Sequence, residues 1–550
     1  MIPPSLLRRI RLLSAILVAL IARLAFVLIK PLDPGTDREA LAVREPSDIP
    51  FADVHPWGAN VFLEREVEAA KREQTAADAA TGGLRWARQH LRWDEIEPVR
   101  GDFDWTKYDG IVDLLRDHGL EVILRLDWTP QWAGTETWAP GENNLPADVD
   151  DYARFVGEAV RRFRGRVRFF QVWNEPNLSS EWDWKPVDPV EYTAMLAAAA
   201  RAARAVDPDV VILSAPLAIN LESLSMAGNL NDLDYLRGMY AAGADEHFDI
   251  LGVNGFGMDR PPDDPPSPER LNLRRIELQR AIMERNGDDD TAVWLSEYAW
   301  NAAPEWLPER PWQRVDEQVQ ADYTARGVAY ARDEGHWPWA GVFNVWYFRR
   351  EGGVTPDRAE HYFQMLTVDF VPRPVYRAVQ AHARELAIAG PGRWEERSAP
   401  VVLADLDGWR WRRRDGARDG NAIEASGASG GAPDASLTFP FRGQALKVRL
   451  AAEGDATLTV VVDGRAHPPI ARSPAGWDMV TLAAELPPGE HSVQLTVASG
   501  GPVAIDGFEV ANGPRDDARW RLPVALGALA LLVALLLGRD VQHAARRIRW

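Results

Sequence analysis

The chain has 550 residues, a formal net charge of -19, 46% hydrophobic and 26% charged residues, and no cysteine. That length exceeds one ordinary domain and supplies ample material for a core. The acidic balance argues against nucleic acid or an anionic membrane surface as the main partner, and the lack of cysteine excludes disulfides, thiolate metal sites and a thiol nucleophile.

Arg8, Arg9 and Arg11 precede an apolar run from Leu12 to Ile29, interrupted only by Arg23. No small-residue cleavage site precedes Pro31, so residues 1–30 are expected to be an uncleaved membrane anchor. Arg23 is costly there unless it snorkels or pairs. A Pro/Asp-rich linker over residues 31–50 follows. From 51 to 388 short apolar strands alternate with charged amphipathic helices, which predicts a parallel α/β architecture. Strands are expected near Gly58–Phe62, Gly83–Arg88, Val122–Asp127, Arg168–Trp173, Val210–Ala215, Phe248–Gly252, Ala292–Glu297 and Gly341–Trp346. That number suits a (β/α)8 TIM barrel. Helices are expected over Tyr152–Phe163 and Tyr192–Val206, the second ended by Asp207-Pro208.

Two of these strands end on a carboxylate. In Phe169-Phe170-Gln171-Val172-Trp173-Asn174-Glu175-Pro176-Asn177 an apolar run stops at a polar cluster. Pro176 cannot donate to a ladder and biases Glu175 toward extended backbone, so Glu175 is expected at the carboxyl end of its strand. That end of a parallel barrel is where chemistry collects. Ala292-Val293-Trp294-Leu295-Ser296-Glu297 repeats the pattern. Two glutamates on two strand ends are what a glycosidase needs, one as proton donor and one as nucleophile or base.

Trp173-Asn174-Glu175-Pro176-Asn177 and Trp294-Leu295-Ser296-Glu297-Tyr298 resemble the acid/base and nucleophile motifs of the clan A glycoside hydrolases, most like family 39 and its relatives. Trp86-Ala87-Arg88, Leu91-Arg92-Trp93-Asp94-Glu95-Ile96-Glu97-Pro98 and Trp128-Thr129-Pro130-Gln131-Trp132 resemble its second- and third-strand blocks. The resemblance implies a retaining double displacement with Glu175 as general acid/base and Glu297 as nucleophile. It further implies that Asn174 bonds the sugar hydroxyl next to the reacting carbon, that Arg88 keeps Glu297 ionised, and that Trp346 forms a platform under the sugar. Trp128 and Asn254 are expected to contact substrate as well. The sixth strand departs from the family pattern. Relatives often end it with a histidine and a tyrosine, whereas this chain reads Gly252-Val253-Asn254-Gly255-Phe256-Gly257, and Phe256 has no hydroxyl to offer the nucleophile.

Tryptophans 128, 132, 138, 182, 184, 300, 306 and 312 fall in expected loops and as a set suggest a sugar-lined groove. None of the ten histidines has zinc-helix spacing, so neither a metal nor a cofactor is expected.

Gly390-Pro391-Gly392 lies in an expected linker, residues 389–399. Short alternating strands and turns then predict an antiparallel, jelly-roll-like β-sandwich over 400–512, with the Gly/Ala/Ser-rich stretch 425–435 as a mobile loop. Its Val-Asp-Gly, Pro-Pro-Gly-Glu-His and Ile-Asp-Gly-Phe phrases resemble galactose-binding-like domains attached to carbohydrate enzymes, which leaves sugar binding and a spacer role both open. Residues 513–521 read as juxtamembrane, 522–538 as a transmembrane helix and 539–550 as a basic tail. Arginines outside both apolar runs place both termini in the cytoplasm and the rest outside. The chain is thus expected to be a membrane-anchored glycosidase acting on an extracytoplasmic polysaccharide or oligosaccharide, held in the lipid bilayer by its terminal helices. A transglycosidase and a non-catalytic polysaccharide-binding scaffold are the alternatives, and the oligomeric state stays open.

Overall fold

The computed structural model describes residues 3–29, 44–223, 228–307, 312–350, 352, 354–427, 435–473, 475–512 and 518–548; of residues 22–29, 475, 518–525 and 547–548 it describes the backbone alone. Eight parallel strands close into a barrel in chain order: β1 (Trp57–Val61), β2 (Trp86–Arg92), β3 (Glu121–Asp127), β4 (Phe169–Val172), β5 (Val211–Leu213), β6 (Ile250–Phe256), β7 (Ala292–Ala299) and β8 (Ala340–Val345). Each expected strand is present. The outer helices start where short acidic side chains cap them: Asp148 accepts from Asp150 N before Val149–Phe163, and Asp188 accepts from Val190 N before Pro189–Val206, with Pro189 in the first turn. Their apolar faces pack on the strands to form the main core.

Two strands differ from expectation in ways that matter for the site. β2 continues past Arg88 to Arg92, so Arg88 lies inside the barrel wall and not at its rim. β7 does not stop at Glu297 but runs on to Ala299. The register with β6 pairs Val253 with Leu295 and then Asn254 with Glu297, so Ser296 is an extra residue in β7. A bulge of this kind bends the strand and re-aims its side chains.

The amino end of the barrel is plugged by aromatic rings. Trp86, Phe169 and Trp294 meet there, Trp86 and Trp294 with ring centroids 4.8 Å apart, and Phe51 packs edge-on to Phe169. Trp411, which belongs to the second domain, completes the plug at 5.3 Å from Phe169. Ion pairs surround it, among them Arg412 with Asp209 at 2.6 Å and Arg413 with Asp249 at 2.7 Å.

That second domain consists of two antiparallel sheets. Its strands are β9 (Gly392–Glu395), β10 (Val402–Leu403), β11 (Arg410–Arg413), β12 (Asn421–Ala425), β13 (Ala435–Arg442), β14 (Ala445–Ala452), β15 (Ala456–Val462), β16 (Arg465–Ala466), β17 (Ile470–Arg472), β18 (Ala475–Ala483), β19 (Glu490–Gly500) and β20 (Val503–Ala511). One sheet runs β10-β13-β19-β15-β16 with β17 beside β15, and the other runs β11-β12-β20-β14-β18 with β9 beside β20. Strict alternation in β14 and β15, whose every second residue is buried, supplies the inner faces. β9 lies within the stretch read from sequence as a linker. Residues 31–43 of the first expected linker and 428–434 of the expected mobile loop lie outside the described residues.

A transmembrane helix was expected near each end; among the described residues one helix is long and apolar enough to cross a membrane, Leu526–Arg546 within Ala518–Ile548. Residues Pro4–Ile29 do form a helix, but Arg8, Arg9 and Arg11 occupy its first turns and its described side chains end at Ile21, so the apolar stretch among them, residues 12–21, is too short to cross a bilayer. The two helices lie against each other, and Arg9 pairs with Asp540 at 2.7 Å.

Trp411 is half-buried, so Trp411→Ala should cost up to about 3 kcal/mol, the low end for an aromatic core truncation. Denaturant unfolding of the variant against wild type checks this, and a change of a few tenths would show that the plug does not hold the sandwich.

Candidate active site

Polar side chains inside a barrel must find partners, because water cannot reach them. At the carboxyl end of this barrel they do so around Arg88, which is 1% exposed. Its Nε donates to Gln171 Oε1 at 2.8 Å and its Nη2 to Asn174 Oδ1 at 2.9 Å. Its Nη1 donates to Asn60 Oδ1 and reaches Glu297 Oε1 at 3.4 Å. Asn60 in turn donates to Ser296 O at 2.9 Å, and Ser296 Oγ donates to Gln171 Oε1 at 3.2 Å. The bulged residue of β7 is thereby tied to β1 and β4, which fixes the backbone beside Glu297.

Glu175 is held differently. Asn254 Nδ2 donates to Glu175 Oε1 at 2.6 Å. The backbone of Glu175 is not extended as Pro176 had suggested but left-handed, with φ 41°. Its N–H donates to Pro216 O at 3.0 Å, and Leu178 N donates to Glu175 O at 3.0 Å, so tertiary bonds override the local preference. Trp173 (φ 69°) and Trp128 (φ 66°) share this conformation. Each costs on the order of 1–3 kcal/mol, and such strain concentrates at functional sites. Trp173 N donates to Leu126 O at 3.1 Å, and Trp128 N donates to Asn143 Oδ1 at 2.9 Å.

Burial raises both carboxyls. For Glu175 the negative charges of Glu297 and then Glu181 add to the rise, which puts it well above the ordinary carboxylate range despite Arg125 and the Asn254 bond. For Glu297 Arg88 and Arg125 pull the other way and hold the increase down. Glu175 is thus pushed further toward its protonated form, while the arginines hold Glu297 nearer its charged form. Burial lowers Arg88 to about 10, so it keeps its charge at neutral pH.

Asn174 is buried, and its Oδ1 is occupied by Arg88, which directs its amide nitrogen the other way. Trp346 is half-buried after β8, edge-on to Phe62 at 5.5 Å; the Trp346–Tyr347 peptide is cis. Phe256 lies 5.6 Å from Phe363 and 6.5 Å from Trp312, in a small apolar cluster that also takes in Trp346. Trp128 has Arg92 over its ring at 3.8 Å, which covers that face. The remaining tryptophans divide. Trp182 and Trp300 are core residues, Trp132 and Trp138 are half-buried and bonded to the Glu97 and Thr129 carbonyls, and Trp184 and Trp306 are exposed.

Sequence reasoning missed Glu181, Arg125 and Asp127. Arg125 and Asp127 are buried and paired at the end of β3. Glu181 follows β4, accepts from Asn143 Nδ2 at 2.8 Å, and is pushed up to about 7 by burial, against the pull of Arg125. Charged residues alternating within Arg125-Leu126-Asp127, and the lone Gln171 in an apolar strand, were the available signals. Proximity of Glu181 to the pair was not readable from spacing.

Residues 65–218 match the family model described as Glycosyl hydrolases family 39, and residues 424–515 match Carbohydrate esterase 2 N-terminal. A beta-xylosidase of Caldicellulosiruptor saccharolyticus is 31% identical over 87 residues, 14% of this chain and 18% of that protein. The chain thus spans under one fifth of that relative's length. Among solved structures, a family 39 glycoside hydrolase from Bacteroides cellulosilyticus WH2 is similar at 19% identity over 83% of both chains, with a TM-score of 0.46. The GH39 enzyme from Xanthomonas axonopodis pv. citri is similar at 14% identity over 85% of this chain and 100% of that one, also with a TM-score of 0.46.

A raised folded-state pKa means that the native protein holds a proton the unfolded chain has released. Glu181 therefore costs stability as pH rises from the ordinary carboxylate range through about 7. Glu181→Gln should leave stability unchanged near pH 4 and raise it at pH 8 by up to roughly 3 kcal/mol. Urea unfolding of both proteins at the two pH values measures this, and equal stability at pH 8 would mean that Glu181 is not desolvated.

Proposed function

We propose that this chain, whose barrel carries a glycosyl hydrolase family 39 segment over residues 65–218, is a membrane-anchored retaining O-glycoside hydrolase of extracytoplasmic polysaccharide or oligosaccharide. The reading is carried by the unequal support of two carboxyls, Glu297 buried and Glu175 half-buried: Arg88 faces Glu297, while Glu175 takes its bond from the Asn254 amide. One proton donor beside one anion at the carboxyl end of a barrel suits double displacement.

In the first step Glu297 attacks the anomeric carbon while Glu175 passes its proton to the glycosidic oxygen, which leaves as an alcohol. A covalent glycosyl ester on Glu297 results. Glu175, now ionised, takes a proton from water as that water attacks the same carbon, and Glu297 departs as a carboxylate. Arg88 offsets the negative charge of Glu297 before attack and after release. Asn174 meets the hydroxyl next to the reacting carbon, and Trp346 supports the apolar face of the ring. Phe256 offers the nucleophile no hydroxyl, so in this chain the positioning of Glu297 falls to Arg88 and the Ser296 bulge.

Glu297→Gln should abolish turnover of every substrate with the fold intact. Glu175→Gln should slow substrates with poor leaving groups by about 100-fold or more, in the range of general acid catalysis, and activated aryl glycosides far less. Product configuration followed by NMR early in the reaction decides the mechanism, and an initially inverted product would remove the nucleophile role from Glu297. In wild type, activity should fall at low pH as Glu297 is protonated and at high pH as Glu175 ionises. The alkaline limb should disappear in Glu175→Gln.

The Leu526–Arg546 segment, with Arg539 and Arg546 toward its end, supports anchoring, and the pairing of Arg9 with Asp540 supports both termini lying on one side. Protease added to intact cells should digest the barrel and spare terminal tags. A protected barrel would overturn the topology.

A further inference from the structure

At the opposite end of the barrel from Glu175 and Glu297, four carboxylates are gathered where the sandwich meets the loop before β1. Glu395, Glu396, Asp419 and Asp506 are 3%, 1%, 8% and 0% exposed, and each offers an oxygen within 4.8 Å of those of the other three. They come from β9, the residue after it, the turn before β12, and β20. The fold builds this convergence. β20 pairs with β9 so that Gly507 faces Glu395, and Asp506 sits at a register shift against β14, between the Arg449–Gly507 and Leu450–Ile505 pairs. Gly507 has φ 150°, and a Cβ there would meet Trp394 O at 2.4 Å, so glycine is what lets β9 close on the bulge.

Such a cluster is costly unless its charge is matched. Among the described residues two guanidinium groups pair with the cluster, and a third, Arg168, lies close enough to Glu396 to feel its charge but donates to Asp209 O and Asn421 Oδ1 instead. Arg449 pairs with Asp506, and Arg418 reaches Glu395 Oε1 only at 3.5 Å. Asp53, beyond the cluster, is already matched by Arg44 and Arg332. Backbone N–H groups satisfy part of the rest: Arg418 N donates to Asp506 Oδ1 at 3.0 Å and Asn421 N to Asp419 Oδ1 at 2.9 Å. Yet Glu395 Oε2 and Glu396 Oε2, both fully enclosed, have no hydrogen-bond partner. Four carboxylates against two paired guanidiniums, with Arg168 shared among Glu396, Asp209 and Asp249, leave an excess of negative charge, and among the described residues two unpartnered oxygens lie within the group.

We infer that Glu395, Glu396, Asp419 and Asp506 form a calcium site that fastens β9, β12 and β20 to one another beneath the barrel. The donors are all oxygen, which selects a hard cation. Ligands facing each other across Ca2+, at about 2.3–2.6 Å each, stand roughly 4.6–5.2 Å apart, which accommodates oxygens that all lie within 4.8 Å of one another; a buried set of four protein carboxylates suits Ca2+, because Mg2+ usually keeps several waters and seldom takes an all-protein cage. The ion supplies positive charge and partners for both enclosed oxygens. Chain spacing conceals the site, because its ligands span residues 395 to 506 without a loop motif.

The test uses the full-length chain, stripped with EGTA and dialysed against buffered Ca2+. Elemental analysis should find a single calcium ion per chain, and the Tm should rise with the logarithm of free Ca2+ and fall on stripping. Glu396→Gln and Asp506→Asn, with circular dichroism unchanged, should lose both the bound ion and the Ca2+ dependence of Tm. Absence of bound calcium with a Tm indifferent to EGTA overturns the site, and that wild-type measurement decides even if a variant fails to fold. Calcium retained by both folded variants places the ion elsewhere, and equal stabilisation by Mg2+ overturns the choice of ion.

Discussion

A guanidinium group enclosed in a barrel has to be bonded on every side, and Arg88 meets that demand with side chains from separate strands. Removing an ion from water costs several kcal/mol, recovered only with good geometry and complete hydrogen bonding. Asn60 of β1, Gln171 of β4, Asn174 just beyond β4 and Glu297 of β7 supply the bonds. Because these partners come from around the barrel, Arg88 satisfies its own needs only if the strands keep their register. The same network orients Asn174 and holds Glu297 toward its charged form. Stability and chemistry at this end of the barrel rest on one cation.

The barrel separates its two tasks by end. Its amino end is closed by Trp86, Phe169 and Trp294, with Phe51 from the segment before β1 and Trp411 from β11 of the sandwich added from outside the barrel. This end holds the sandwich. Its carboxyl end carries the strained positions Trp128, Trp173 and Glu175, together with the buried carboxyls. Strain of that kind persists only on rigid support, which the plug and the packed helices provide from below. The two ends also treat negative charge differently. At the mouth Arg88 and Arg125 hold down the rise that burial imposes on Glu297, while Glu175 is pushed further, whereas beneath the barrel the carboxylates of the sandwich outnumber their arginines.

Much of this was legible in the chain, for reasons that can be named. Buried parallel strands read as apolar runs, so every barrel strand was found, whereas the helices read from Tyr152 and Tyr192 start three residues earlier, at Val149 and Pro189, behind the capping Asp148 and Asp188. Glu175 and Glu297 stood out because each ends such a run. Other features were invisible because they depend on partners distant in sequence. β9 is a strand only because β20 lies beside it, and its four residues carry no alternation of their own. The bulge at Ser296 exists in the pairing of β7 with β6, so the sequence read as a strand that ended at Glu297. Trp411 resembled any tryptophan of a small sheet until it met Phe169. The tryptophans taken as a groove proved mixed, since an aromatic residue in a loop serves the core as readily as the surface.

By itself the sequence determined which residues form the barrel and which two glutamates sit at its mouth, because strand propensity and chain breaks are local properties. Only the tertiary structure shows which groups stand beside each of them. A carboxyl's charge depends on the groups within a few ångströms of it, and Arg88 stands 209 positions away from Glu297 along the chain while Asn254 stands 79 from Glu175. No reading of local order contains those distances; closing the barrel creates them.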